Sequence, residues 1–156
     1  MQQITPCLWF NDNAEEAARF YVSVFKNAKI DTITHYGDGM PMPKGTVLTV
    51  TFTINGQDFM ALNGGPTFTL NEAVSFMINC DSQMEIDDYW TKLTADGGKP
   101  VQCGWLKDKF GLSWQIVPSI LPKLLGGDQA QTDRVMAAVV QMVKFDIAAM
   151  EKAAAG

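Results

Sequence analysis

Apolar and polar positions along this chain fall into short blocks whose period changes from one block to the next. Residues 4–10 form an apolar run between polar flanks, which predicts a strand. Asn11-Asp12-Asn13 follows, and Asn13 with Glu16 three positions on has the form of a capping box. Ala14, Ala17, Ala18, Tyr21 and Phe25 then recur at helical spacing, predicting a helix with one apolar stripe that ends at Asn27 and Ala28. Residues 30–36 and 46–54 read as strands, and the Gly- and Pro-rich segment between them, 37–45, as a flexible loop. Asn55-Gly56 is a hairpin turn signal, with residues 57–62 as the partner strand. The predicted order is βαβββ.

Asn63-Gly64-Gly65-Pro66 interrupts the pattern, and residues 67–72 read as a connector. A strand is predicted over residues 73–80, and Ser82 with Glu85 forms a second capping box. The helix behind it runs to about Ala95 with Ile86, Tyr89, Trp90 and Leu93 as its apolar face, and Gly97-Gly98 stops it. Residues 102–118 carry two Trp, a Cys and two Gly and read as strand, tight turn, strand. Shifted by sixty-nine positions, Asp12 falls on Asp81, Asn13 on Ser82, Glu16 on Glu85, Phe20 on Tyr89 and Tyr21 on Trp90. Cap, capping partner and an aromatic pair recurring together indicate a duplicated βαβββ unit. Beyond Pro118, residues 120–125 read as a helical turn and Gly126-Gly127 as a break. Residues 128–155 then read as one long helix whose stripe (Met136, Val139, Val140, Val143, Ile147, Met150) covers its own sheet or meets a second copy. The expected fold is therefore α+β. Two βαβββ modules, residues 1–66 and 67–118, form a cupped mixed sheet, and residues 119–156 add a C-terminal helical extension.

With 156 residues, 47% of them hydrophobic and 19% charged, the chain is globular and long enough for a core without staples. Its net charge is −5 with no cluster of Lys or Arg, which argues against nucleic acid as a partner. No apolar run approaches the ~20 residues of a membrane span, and no basic segment leads into an apolar one at the N-terminus. A cytoplasmic protein without a membrane partner is expected. Cys7, Cys80 and Cys103 lack CxxC spacing and read as reduced thiols.

Several stretches resemble the PhnB-like family of the vicinal oxygen chelate superfamily, which also holds glyoxalases, bleomycin-resistance proteins and extradiol dioxygenases. They are Thr5-Pro6-Cys7-Leu8-Trp9-Phe10, Ala17-Ala18-Arg19-Phe20-Tyr21, Leu62-Asn63-Gly64-Gly65-Pro66, and the Cys103-Gly104-Trp105 to Trp114-Gln115-Ile116-Val117-Pro118 run. This family often carries the description 3-demethylubiquinone-9 3-methyltransferase. The resemblance implies a twin-module sheet and, in the superfamily's enzymes, a divalent metal on four residues. Those are a His or Gln early in the first strand of each half and a Glu in its last strand. Here the first-strand positions fall on Pro6 and Ser75, and the last-strand positions on Gln115 and on Met60 or Ala61. These side chains are not a metal-ligand set, so no metal and no cofactor is expected. A methyltransferase site of the usual kind needs a glycine-rich turn in a doubly wound sheet, and the Gly pairs here lack that context.

Strand alternation puts Ser75, Met77 and Asn79 on one face, with Gln115 on the last strand, and Pro6, Leu8 and Phe10 on the matching face of the first half. Such a face is either a small-molecule pocket or an ordinary sheet interior. Trp105 offers an indole for stacking on a flat ligand, and Asp108 a carboxylate; otherwise Asp108 pairs with Lys107, Lys109 or a helix end. Cys103 shares the face of Trp105 if its strand is regular, and as a nucleophile it would need a neighbouring cation. His35, the single histidine, stands at a strand end beside the 37–45 loop and could gate a pocket or simply be exposed. The leading expectation is a metal-free, homodimeric small-molecule binder, by analogy with sequestering bleomycin-resistance proteins. Pro6, Phe10, Asn63, Ser75, Asn79, Cys103, Trp105, Asp108 and Gln115 would line its site. The alternatives are an enzyme on the same fold (metal-dependent, Cys-based or the methyltransferase of the family description) and a dimeric interaction module built on the C-terminal helix.

Overall fold

The computed structural model describes residues 4–156. The chain divides into two units, one ending at Leu70 and the other spanning Asn71–Gly156.

The first unit contains β1 (Cys7–Phe10), α1 (Ala14–Val24), β2 (Ala28–His35), β3 (Val47–Ile54) and β4 (Gln57–Asn63). The sheet order is β1-β4-β3-β2, with β1 parallel to β4 and the other pairs antiparallel. The hairpin predicted at Asn55-Gly56 forms: φ is 49° at Asn55 and 81° at Gly56, as a two-residue turn with both centres left-handed requires. One face of the sheet is covered by α1. Leu8, Phe10, Val50, Phe52, Phe59 and Ala61 are buried there, and Tyr21 of the helix stacks on Phe52 with ring centroids 6.0 Å apart.

Asn13 supplies no side-chain cap to α1. The cap comes from Asn63, at the end of the neighbouring strand: its Oδ1 accepts the Ala14 N–H at 2.8 Å, and its Nδ2 donates to the Val47 carbonyl at 3.0 Å. Its own carbonyl accepts the Tyr36 hydroxyl. The glycines behind it close the unit. A Cβ on Gly64 would lie 2.3 Å from the Trp9 ring, and the Gly65 carbonyl accepts the Trp9 Nε1–H at 2.9 Å.

The second unit repeats the order: β5 (Ser75–Cys80), α2 (Gln83–Thr94), β6 (Lys99–Pro100), β7 (Trp105–Lys107) and β8 (Ser113–Pro118). Its sheet order is β5-β8-β7-β6, again with first and last strands parallel. The Ser82 hydroxyl accepts the Glu85 N–H at 3.2 Å, while the Glu85 carboxylate reaches back to the Asp81 N–H at 2.8 Å. Ile86 and Leu93 are buried against the sheet, whereas Tyr89 and Trp90 remain half-buried.

The helical turn predicted at 120–125 is α3 (Leu121–Leu125), and the predicted single long helix is instead two, α4 (Gln129–Val139) and α5 (Ile147–Ala155). The break at residues 140–146 has a physical cause. Here the chain gives its carbonyls to a distant turn: Met142 and Val143 accept the N–H groups of Cys103 and Gly104, each at 2.8 Å. Gln83 clamps the far end, donating to the Phe145 carbonyl at 3.0 Å and accepting the Ile147 N–H at 2.9 Å. Of the predicted stripe, Val139 and Met150 are buried, while Met136, Val140 and Val143 are exposed. No helix among the described residues is long and apolar enough to cross a membrane.

Two predictions follow from these clamps. Asn63→Ala removes a helix cap and strands the Val47 carbonyl, so chemical denaturation should show a loss of about 2–3 kcal/mol. Asp87 is held below the ordinary carboxylate range by Lys144 on the 140–146 strap, and then by Gln83. Its contribution is therefore present above the unfolded Asp value and lost as pH falls through the depressed folded value. Carboxyl-carbon NMR should place the Asp87 midpoint below that of a free Asp, and Lys144→Met should move it back up.

Candidate functional site

The first strands of the two units differ in which of their residues face the covering helix. In the first unit the α1-covered face holds Leu8 and Phe10, so Phe10, 4% exposed, lies in the core. Cys7 and Trp9 point the other way, toward Met60 and Leu62 on β4. Pro6, just before β1, uses its carbonyl to accept the Met60 N–H at 2.9 Å. The predicted parity of this strand is therefore reversed. The reason is a one-residue difference between the repeats. From strand end to helix cap the first unit runs Phe10 to Asn13, and the second runs Cys80 to Ser82. The helices correspond at an offset of sixty-nine, but the strands correspond at seventy. Thr5, not Pro6, matches Ser75; Cys7 matches Met77; and since Met77 pairs with Gln115 and Cys7 with Met60, Met60 matches Gln115.

The residues at the superfamily's metal-binding positions are thus Thr5, Met60, Ser75 and Gln115. Two hydroxyls, a thioether and a single carboxamide do not supply the three or four convergent strong donors that a divalent cation site needs. Among the described residues no group of three or more His, Cys, Asp and Glu is placed to hold a metal ion.

In the second unit Leu106, Trp114 and Ile116 are buried on the α2 side. The opposite face carries Ser75, Met77 and Asn79 from β5, Ser113, Gln115 and Val117 from β8, and Trp105 and Lys107 from β7. Gln115 donates an amide hydrogen to the Ser75 hydroxyl at 2.8 Å. Met77, Gln115 and Trp105 form one row across three strands. Met77 is 54% exposed and Asn79 is exposed as well. This face brings Ser75, Asn79, Trp105 and Gln115 together as a platform with a thioether and an indole beside hydroxyl and carboxamide groups.

The remaining predicted residues do other work. Asn63 is buried with both ends of its carboxamide engaged, as described above. Asp108 is also buried, and its carboxylate ties backbone and indole together. Oδ1 accepts the N–H groups of Phe110 and Leu112 at 2.9 and 3.1 Å, and Oδ2 accepts the Trp114 Nε1–H at 2.8 Å. It ties the 108–112 turn to β8, which makes it a scaffold for the platform. Cys103 is not on a strand. With φ of 57° it sits in a left-handed turn, its thiol 3.7 Å from the Val139 carbonyl. Gly104 follows at φ 79°, and a Cβ there would lie 2.5 Å from the Phe145 ring. Cys80 is fully buried and desolvation pushes its thiol up to about 12, which keeps it protonated. His35 is exposed at the end of β2, opposite Val47.

The face of the first sheet turned away from α1 bears a depression of about 580 Å³, lined in part by Thr5, Lys29, Asp31, Thr53, Asp58 and Met60. Its polar groups satisfy one another. Lys29 pairs with Asp31 at 2.8 Å, and the Thr53 hydroxyl donates to Asp31 at 2.6 Å. Lys29 and then Thr53 hold the Asp31 carboxyl below its usual range. Sequence reasoning passed over two platform neighbours, Lys107 and Glu72, which form an ion pair. Period-two alternation from Trp105 could have placed Lys107 on this face; nothing local signals Glu72.

Comparison with known proteins bears on this geometry. Residues 2–117 match the model of the family described as 3-demethylubiquinone-9 3-methyltransferase. Among solved structures, the PhnB protein from Bacillus cereus carries the same family description. It is 38% identical, and the match covers 76% of this chain and 100% of that one with a TM-score of 0.68. Protein PA1353 from Pseudomonas aeruginosa shares the fold at 22% identity, over 76% of this chain and 98% of its own, with a TM-score of 0.62. The fosfomycin resistance protein FosX from Mesorhizobium loti does so at 14% identity, over 81% and 98%, with a TM-score of 0.56. No curated protein matches the chain. With its paired βαβββ units, the chain belongs to the PhnB-like family described as 3-demethylubiquinone-9 3-methyltransferase.

Proposed function

We propose that the protein binds a small, partly apolar molecule on the α2-opposite face of its second sheet, without a metal. The observation that carries this reading is the row Met77, Gln115, Trp105, with Ser75 bonded to Gln115 and Asn79 at its border. A flat ligand gains dispersion and ring stacking on the indole and thioether, while the carboxamide and hydroxyls fix its orientation. The donor set at Thr5, Met60, Ser75 and Gln115 supports binding over metal-assisted chemistry. Asn11-Asp12-Asn13, and not a glycine-rich turn, follows the first strand, so the family's methyltransferase description finds no matching adenosylmethionine motif in this chain.

A thermal-shift and native mass-spectrometric screen of metabolites, quinones included, tests the reading. A ligand is expected whose Kd rises about tenfold in Trp105→Ala, the loss of one stacking contact of ~1.4 kcal/mol. Compounds that bind no better than millimolar, or that bind Trp105→Ala and Gln115→Ala as well as the unsubstituted chain, would remove it.

A further inference from the structure

One row further along the same face, Ser75, Ser113, Lys107 and Lys99 stand side by side across all four strands of the second sheet. Three observations set this row apart. Lys107 and Lys99 occupy directly paired positions on β7 and β6, where like charges repel. Ser113 is 1% exposed, and its Oγ has no hydrogen-bond partner among the described residues. Such an unsatisfied hydroxyl carries a desolvation cost that a bound acceptor would relieve. Finally, an anion already meets Lys107: the carboxylate of Glu72, from the segment preceding β5, whose side chain is 62% exposed. Lys107 is the first cause holding that carboxyl below its usual range. An ion pair this exposed is screened by water and contributes little, so a competing anion can displace it.

We infer that this row is an oxyanion subsite, taking the carboxylate or phosphate head of a ligand whose flat body lies on Trp105 and Met77, and that Glu72 is the internal anion the ligand displaces. The inference rests on the platform proposed above and names its ligand class. Same-face residues two apart along a strand are separated by ~6.7 Å, so the Lys107–Ser113 row and the Trp105–Gln115 row suit an acid group attached directly to an aromatic ring. The ammonium of Lys107 would neutralise the head, and the Ser113 and Ser75 hydroxyls would donate to its oxygens.

Amide NMR titration of the full chain with benzoate, phenyl phosphate and the neutral isostere benzamide tests this, and the first two arms separate carboxylate from phosphate. Saturable shifts at Lys107, Ser113 and Gln115 are expected, with benzamide at least about fivefold weaker than the better anion. Glu72→Gln, a change in an exposed segment, should tighten the anionic probes about threefold or more and leave benzamide unchanged, while Lys107→Met should abolish the preference. Equal binding of all three probes, or anion affinity unmoved by Glu72→Gln, overturns the oxyanion subsite and leaves the platform standing. Absence of shifts on this face with every probe overturns both readings.

Discussion

In each unit the last strand returns to lie parallel beside the first, and the register of that one pairing decides which side chains meet. A parallel pair cannot be joined by a tight turn, so the helix and two further strands between its members are what the connection is made of. The helix must then cover one face of the sheet. Once Met77 stands beside Gln115 and Ser75 beside Ser113, period two fixes everything else on the opposite face, from Trp105 to Lys107. The platform is therefore a by-product of strand closure.

Two buried polar residues hold that closure in place. Asn63 joins the end of β4 to the start of α1, and Asp108 joins the 108–112 turn to the indole of Trp114. Both are enclosed and both are hydrogen-bonded at each end, as burial of a carboxamide or carboxylate demands. Polar residues at a hairpin rim or strand end suggest ligand contacts when only the sequence is in view. Their exposure, and whether their bonds are already made, separates scaffold from site.

The architecture was legible in the sequence because repeated signals agreed: cap residues, helical stripes, Asn55-Gly56 and the aromatic pair at matching positions all pointed to a duplicated βαβββ. Ser75, Asn79, Trp105 and Gln115 were legible as a group because alternation holds along β5 and β8. Phe10 was not, since one extra residue between β1 and α1 inverts the parity of that strand relative to its repeat, and an offset read from the helices cannot register it. Cys103 was misplaced because a non-glycine residue gave no sign of its left-handed backbone. The long C-terminal helix failed for a related reason. Its apolar stripe has helical period throughout, but the carbonyls of Met142 and Val143 are claimed by amides some forty residues upstream, a long-range bond that overrides local preference.

That long-range bond also orders events in time. The turn at Cys103 and Gly104, the base of the hairpin carrying Trp105, finds acceptors for its two amides only in residues 142–143, and Gln83 finds both of its backbone partners only at Phe145 and Ile147. During synthesis from the N-terminus these three residues emerge long before their partners do. The first unit can close while the ribosome is still translating, but the second has to wait until residues 142–147 have emerged before its hairpin is anchored, so the Trp105 face becomes rigid later than the first sheet.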